Sequence, residues 1–65
     1  MKIQLNGEGK DTQAQTIATL VEELQLESRM IAVECNLEVV AKSAYATTQL
    51  KEDDRIEIVH MIGGG

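Results

Sequence analysis

The spacing of the apolar residues changes along this 65-residue chain, and that change constrains the fold more than any other feature. Apolar and polar residues alternate from Met1 to Leu5, which predicts a half-buried strand, and Asn6-Gly7 is a strong hairpin signal. A second, weakly apolar strand is predicted over 9–13. After Thr16, a candidate N-cap, apolar residues recur at i, i+3, i+4 and i+7: Ile17, Leu20, Val21 and Leu24. This spacing predicts an amphipathic helix of about ten residues.

Alternation returns in the second half of the chain. Residues 31–35 form a third predicted strand, 37–40 a short fourth strand after a turn at Asn36, and 44–46 a helical turn with Leu50 as its anchor. The final predicted strand, 55–61, places Ile56 and Ile58 on one face and Val59 and Met61 on the other. A hairpin, a helix and further strands predict an α+β fold: a mixed sheet of four to five strands with one main helix packed on one face.

Size and charge restrict the class of protein. A chain of this length makes one small domain, and its single cysteine excludes an intramolecular disulfide. The chain has eleven acidic and six basic residues, a net charge of −5. This charge argues against nucleic acid as a partner and favours association with a protein that has a basic surface. No signal peptide pattern and no apolar run of membrane-spanning length is present, so we expect a cytoplasmic protein that does not enter a membrane.

The sequence ends on Gly63-Gly64-Gly65, directly after the last predicted strand. Glycine adds no side chain to a core and loses the most conformational freedom on ordering, so these residues contribute nothing to stability. Fully extended, three residues reach roughly 10 Å, far enough to place a terminal carboxylate in a narrow pocket. We therefore expect a folded domain over 1–62 and a flexible tail over 63–65.

Three segments carry a resemblance to a known family. They are residues 33–42, beginning Val33-Glu34-Cys35-Asn36 and followed by Tyr45, residues 50–59, and the terminal glycines. Together they resemble the ubiquitin-like β-grasp proteins and, within them, the ThiS family of sulfur carriers for thiamine biosynthesis. Ala41 stands where family members often carry Pro or Gly, and Asp53-Asp54 where they often carry Gly-Asp. Because Asp tolerates left-handed geometry, we expect this last turn to survive.

The resemblance implies a function for the tail. It implies that a ThiF-type enzyme adenylates the Gly65 carboxylate with ATP and that a persulfide donor then converts it to a thiocarboxylate. A thiazole synthase of the ThiG type would receive the sulfur for the thiazole ring of thiamine, with Gly63 and Gly64 giving the tail access to narrow sites. The chain itself would be a monomeric carrier that binds no cofactor and is not an enzyme. A molybdopterin-type carrier, a ubiquitin-like modifier and a plain interaction domain remain alternatives.

Further residues have predicted roles outside the tail. Val59, Met61 and Ile62 are expected to form a partner interface on the sheet face opposite the helix. His60 has no neighbours at metal-ligand spacing, so no metal site is predicted. Three other predictions are structural: a buried Cys35 thiol acting as a small hydrophobe, a Tyr45 ring whose hydroxyl bonds to backbone, and a solvated acidic run over 52–54.

Overall fold

The structure, a computed structural model, describes residues 1–61. Within them the chain forms five strands, β1 Lys2–Leu5, β2 Glu8–Asp11, β3 Ile31–Cys35, β4 Glu38–Val40 and β5 Arg55–His60, one α-helix, α1 Ile17–Glu23, and two 3₁₀ turns, Ser28–Met30 and Lys42–Ala44. The predictions for Ile62 and for the glycine tail at 63–65 lie outside the described residues.

The strands form one sheet in the order β2-β1-β5-β3-β4. β1 and β5 are parallel, and the other neighbouring pairs are antiparallel. The predicted mixed sheet is therefore confirmed. The last strand in sequence lies at the centre of the sheet, so the strand that precedes the glycines is hydrogen-bonded on both sides.

The core lies between α1 and one face of the sheet. Its members are almost all aliphatic: Ile3, Ala14, Ile17, Leu20, Val21, Ile31, Val33, Leu50, Ile56 and Ile58, together with Tyr45. Ile17, Leu20 and Val21 from the helix are the residues whose spacing predicted it, and they are all buried. The helical period thus identified both the helix and the face that it buries.

Both ends of α1 are capped by short-range hydrogen bonds. Thr16 is the N-cap, as predicted, and Thr19 completes a capping box with it, a role the sequence analysis did not assign. At the other end, Gln25 takes a left-handed φ of 59°, and the N–H groups of Gln25 and Leu26 donate to Glu22 and Val21. This pattern is a Schellman motif, and it ends the helix after seven residues, where about ten were predicted.

Two hairpins have turns of the same kind. Asn6 and Gly7 have φ values of 51° and 85°, and Asn36 and Leu37 have 53° and 74°. Positive φ at both central residues is the type I′ geometry that favours Asn-Gly, so the first turn confirms its prediction. In the second turn Leu37 stands where the geometry favours glycine. Because Leu37 belongs to the turn, β4 begins one residue later than predicted.

Other boundaries also differ from the predictions. β2 starts at Glu8 because Leu5 pairs with Glu8 directly across the turn. It ends at Asp11, and the next residue, Thr12, donates through its side chain to the Glu23 carboxylate on α1. β5 ends at His60, one residue earlier than predicted. The second 3₁₀ turn covers 42–44, whereas a helical turn was predicted over 44–46.

The turn before β5 is held by a buried carboxylate. Asp53 has a φ of 68°, so the expected left-handed turn is present. Asp54 is buried and accepts hydrogen bonds from the backbone N–H of Lys51 (2.8 Å) and the Asn36 side chain (3.0 Å). Asn36 in turn accepts from the Arg55 N–H. The prediction of a solvated role is thus wrong for Asp54, which joins the β3–β4 turn to the start of β5.

The contrast between the two hairpin turns gives a stability prediction. We expect Leu37→Gly to raise the free energy of unfolding by about 0.5 to 1 kcal/mol, since glycine relieves the left-handed strain and Leu37 is 74% exposed. Gly7→Ala, at the equivalent position of the first turn, should lower it by about 1 kcal/mol. Urea unfolding measures both. Destabilisation by Leu37→Gly would contradict this account of the turn.

Candidate functional site

The end of β5 is the part of the sheet that lies nearest in sequence to the terminal glycines. Backbone pairing along β5 is continuous: its first half pairs with β1, and β3 pairs with it from Cys35↔Ile56 to Ile31↔His60. Beyond the strand, the Met61 N–H donates to the Met30 carbonyl at 2.8 Å. The backbone is therefore held by hydrogen bonds through Met61, the last residue that the structure describes.

The predicted interface residues fall into two groups. Val59 is 59% exposed on the sheet face opposite Ile56 and Ile58, as the alternation predicts, and Met61 is half-buried at the end of β5. Ile62, Gly63, Gly64 and Gly65 lie outside the described residues. The structure thus places Val59 on the sheet face that points away from the core and Met61 just beyond the end of β5.

The outer face of the sheet, named here for Ala32, Glu34, Val39, Glu57 and Val59, carries more apolar surface than predicted. Val39 is 75% exposed, and Val59 lies opposite Ala32 on the neighbouring strand. Together with Glu34 and Glu57, these side chains line a depression of about 150 Å³. Exposed apolar groups in a contiguous patch are typical of an interaction surface. Val39 was missed, although its alternation with the half-buried Val40 could have identified it.

Two carboxylates meet on this outer face. Glu34 of β3 is directly opposite Glu57 of β5. Like charges at such positions destabilise a sheet. Neither belongs to the ion pairs found within residues 1–61, which join Lys10 to Glu23 and Arg29 to Glu27. A partner that brings a cation to this face would relieve the repulsion.

Met30 is a further residue that the sequence analysis missed. It lies in the 3₁₀ turn before β3, is 41% exposed, and its carbonyl accepts the hydrogen bond from Met61. Its position in a connecting segment gave no periodic signal. The fold places the backbone of Met30 next to that of Met61. Two methionines from different segments of the chain are therefore hydrogen-bonded neighbours at the end of β5.

Cys35 is not an activated thiol. It is half-buried, and its Sγ lies 4.0 Å from Oδ2 of Asp54. Burial raises the pKa of the Cys35 thiol, and the negative charges of Asp54 and Glu38 raise it further, while Lys51 opposes them. Since the thiolate is the nucleophile, this environment disfavours reaction at neutral pH. The side chain is less buried than predicted, because it lies at the end of β3 next to the turn.

Tyr45 is buried as predicted, but its hydroxyl is not hydrogen-bonded within the described part of the chain. Burial raises the pKa of the Tyr45 hydroxyl, and the backbone of Val33 partly offsets that rise. No hydrogen bond of standard length and angle joins this hydroxyl to the backbone within residues 1–61, so the predicted hydroxyl-to-backbone bond is wrong.

His60 lies exposed on β5. In residues 1–61, no group of three or more His, Cys, Asp and Glu side chains is arranged to hold a metal ion. The same part of the chain contains no helix of sufficient length and apolar character to cross a bilayer.

The environment of Cys35 predicts its reactivity. Because its pKa is raised, the thiolate fraction at pH 7 should be smaller than that of a free cysteine, and alkylation by iodoacetamide should be correspondingly slower. The rate should rise with pH and continue to rise above the pH at which free cysteine levels off. Intact-mass measurement over time gives both rates. A Cys35 that reacts at neutral pH as fast as the free amino acid would contradict the assignment.

Comparison with known proteins gives concordant matches. The model of the ThiS family matches residues 3–65. The sulfur carrier protein ThiS of Bacillus subtilis is 43% identical over 67 residues, covering 97% of this chain and 98% of that protein. A thiazole synthase of Paramagnetospirillum magneticum is 47% identical over 66 residues, and the chain spans 20% of its length. The crystal structure of the thiamine biosynthesis protein ThiS from Geobacter metallireducens superposes with a TM-score of 0.86 at 26% identity, with full coverage of both chains.

Proposed function

Because the chain belongs to the ThiS family, we propose that it carries sulfur as a C-terminal thiocarboxylate for the thiazole ring of thiamine. The observation that carries the proposal is the match to the Bacillus subtilis carrier over almost the full length of both proteins. The β-grasp fold shared with the Geobacter protein and the terminal Gly63-Gly64-Gly65 support it.

The proposed chemistry takes place on the terminal carboxyl of Gly65. A free α-carboxylate has a pKa of about 3.3 to 3.7, so it is ionised and unreactive toward nucleophiles at neutral pH. Attack of one carboxylate oxygen on the α-phosphorus of ATP releases pyrophosphate and forms an acyl-adenylate, which has a good leaving group. A persulfide sulfur then attacks the acyl carbon and displaces AMP. Cleavage of the S–S bond by a second thiol leaves the thiocarboxylate, a softer and stronger sulfur donor.

We assign catalysis to the partner enzymes and a carrier role to this chain. The raised pKa of Cys35 argues against a sulfur relay through its thiol. His60 is exposed on β5 and belongs to no group of metal-ligating side chains within residues 1–61. The chain would contribute a defined point of departure for the tail and a surface for docking. Because adenylation consumes ATP, we place the carrier in the cytoplasm.

The similarity to thiazole synthases supports one partner class. In the Paramagnetospirillum and Magnetococcus marinus proteins, a segment similar to this whole chain makes up 20% of a polypeptide named thiazole synthase. A carrier segment joined to its acceptor enzyme is consistent with transfer between the two. We propose a separate thiazole synthase of the ThiG type, an adenylating enzyme of the ThiF type and a persulfide donor as the partners of this chain.

We expect Gly64→Val to abolish adenylation and leave the fold intact. A side chain at this position would block entry of the terminal segment into a channel that admits only backbone. ATP–pyrophosphate exchange with the adenylating enzyme measures the first step, and intact mass after addition of a persulfide donor measures the replacement of oxygen by sulfur.

The control for Gly64→Val is its urea midpoint, which should equal that of the unaltered protein because the terminal glycines contribute nothing to the core. Normal exchange with this variant would refute the channel argument. If the unaltered protein forms adducts on lysines of other proteins and never gains sulfur, the chain is a modifier. If it gains sulfur and supports only molybdopterin synthesis, the acceptor assignment is wrong.

We propose that partners dock on the outer face and on Met61. Val39 and Val59 supply exposed apolar area on this face, and Glu34 and Glu57 supply negative charge. A complementary partner surface would therefore be apolar with one or more cations opposite the carboxylates, which favours encounter with a chain of net charge −5.

Substitutions on the outer face should affect binding and leave stability largely unchanged. Val39→Ser and Val59→Ser should each weaken binding to the adenylating enzyme by about 1 kcal/mol or more and change the unfolding free energy by less than about 0.5 kcal/mol. Ala46→Ser, exposed on the helix side, is the matched control. Isothermal titration calorimetry measures the affinities. Equal affinity for all three variants would exclude this face.

The charge of the outer face can be tested separately. Glu57→Lys should lower the association rate, and the loss should diminish at high salt because screening weakens the attraction in the unaltered protein. Glu8→Lys makes the same change in net charge on β2, away from this face. If both variants lose the same amount, the overall charge of the chain accounts for the effect and the outer face has no special part in it.

A further inference from the structure

We propose that Asn6-Gly7 is a self-modification site, in which the Asn6 side chain can cyclise onto the next peptide group, and that its contacts with Ile58 hold this reaction back in the folded protein. The proposal does not rest on the carrier function. It rests on the geometry of the β1–β2 turn and on the hydrogen bonds that join this turn to β5.

The Asn6 carboxamide makes two hydrogen bonds to one residue of β5. Its Oδ1 accepts from the Ile58 N–H at 2.8 Å, and its Nδ2 donates to the Ile58 carbonyl at 3.2 Å. The backbone N–H of Asn6 also donates to Ile56 at 2.8 Å. The side chain is therefore fixed by both polar backbone groups of Ile58.

These bonds continue the parallel pairing of β1 with β5. In that pairing, the N–H of Gln4 donates to Asp54 and the N–H of Asn6 donates to Ile56. The next step would pair Ile58 with the carbonyl of residue 6 and the N–H of residue 8, but the chain has already turned at Gly7. The Asn6 carboxamide provides an equivalent acceptor and donor, so it replaces the missing peptide group.

The reaction uses no external oxidant or catalyst. The backbone nitrogen of Gly7 attacks Cγ of Asn6, a C–N bond forms, and the side-chain nitrogen leaves as ammonia. Water then opens the resulting succinimide at either carbonyl, which gives an aspartyl or an isoaspartyl linkage. Glycine as the following residue favours the first step because no side chain crowds the attacking nitrogen. A Cβ added at Gly7 would meet no atom within 4 Å, so the turn itself is open.

The Ile58 contacts are therefore the restraint on this reaction. For Cγ to approach the Gly7 nitrogen, the carboxamide must rotate away from β5, which breaks both of its hydrogen bonds. The aspartyl product restores only one of them: a carboxylate accepts from the Ile58 N–H but cannot donate to the Ile58 carbonyl. An isoaspartyl product also inserts a methylene into the backbone of a two-residue turn. Either product weakens the attachment of β5 to β1.

The test compares the folded and unfolded protein at the same pH. We expect Asn6 to deamidate at least about tenfold more slowly in buffer at pH 9 than in the same buffer with denaturing urea, since reaction from the folded state requires local opening. Peptide mapping by mass spectrometry identifies the site, and Asn36 is the internal comparison: in urea it should deamidate more slowly than Asn6, because the side chain of Leu37 crowds the attacking nitrogen. Equal rates for Asn6 in both conditions would overturn the proposed restraint.

A variant tests the consequence for β5 directly. Asn6→Gly removes both contacts with Ile58 and tolerates the positive φ of this position. We expect the amide N–H of Ile58 to exchange with solvent at least about tenfold faster in this variant than in the unaltered protein, because its acceptor is gone. The amide of Val33 in β3 should change less and reports on global unfolding. If Asn6→Gly does not fold, the rate comparison on the unaltered protein still decides the proposal. Unchanged exchange at Ile58 in a folded variant would refute the restraint by the Asn6 carboxamide.

Discussion

The central position of β5 is the constraint on which the rest of the structure depends. Its residues pair with β1 on one side and β3 on the other, and Ile56 and Ile58 point from it into the core. The turns around it are tied to it by side chains: Asn6 bonds to Ile58, and Asn36 bonds to Asp54 and to the N–H of Arg55. β5 is thus bonded on both sides and buried on one face, which fixes its backbone through His60.

The two faces of the sheet carry different kinds of residue. The helix side of the sheet is filled by aliphatic residues, so it can be optimised for packing. The outer face carries Val39 and Val59 exposed, with Glu34 opposite Glu57, which is unfavourable for the isolated protein. A cost of this kind is typical of surfaces retained for binding. Residues that alternate along β5 thus divide between the core, where Ile56 and Ile58 are buried, and the outer face, where Val59 is exposed.

How much could be predicted depended on whether the signal was local. Asn6-Gly7, the helical spacing from Ile17 and the alternation along β5 each depend on neighbours in sequence, and each was confirmed. Asp54 was misassigned because a residue distant in sequence, Asn36, donates to its carboxylate. For Tyr45 the burial was predicted correctly and the bond of its hydroxyl was not. Leu37 in a left-handed turn contradicts its own preference, so no propensity could indicate it. In the candidate site, alternation predicted the exposure of Val59, whereas the position of Met30 beside Met61 could be identified only from the fold.

The two outermost strands have a consequence for how the chain behaves in a crowded solution. β2 is short and polar, with the sequence Glu-Gly-Lys-Asp, and β4 has three residues. Short or charged border strands offer little for a foreign strand to pair with, which is how natural sheets avoid aggregation. A protein this small can therefore expose aliphatic side chains such as Val39 and Val59 on one face, while its borders discourage sheet extension from one molecule to the next.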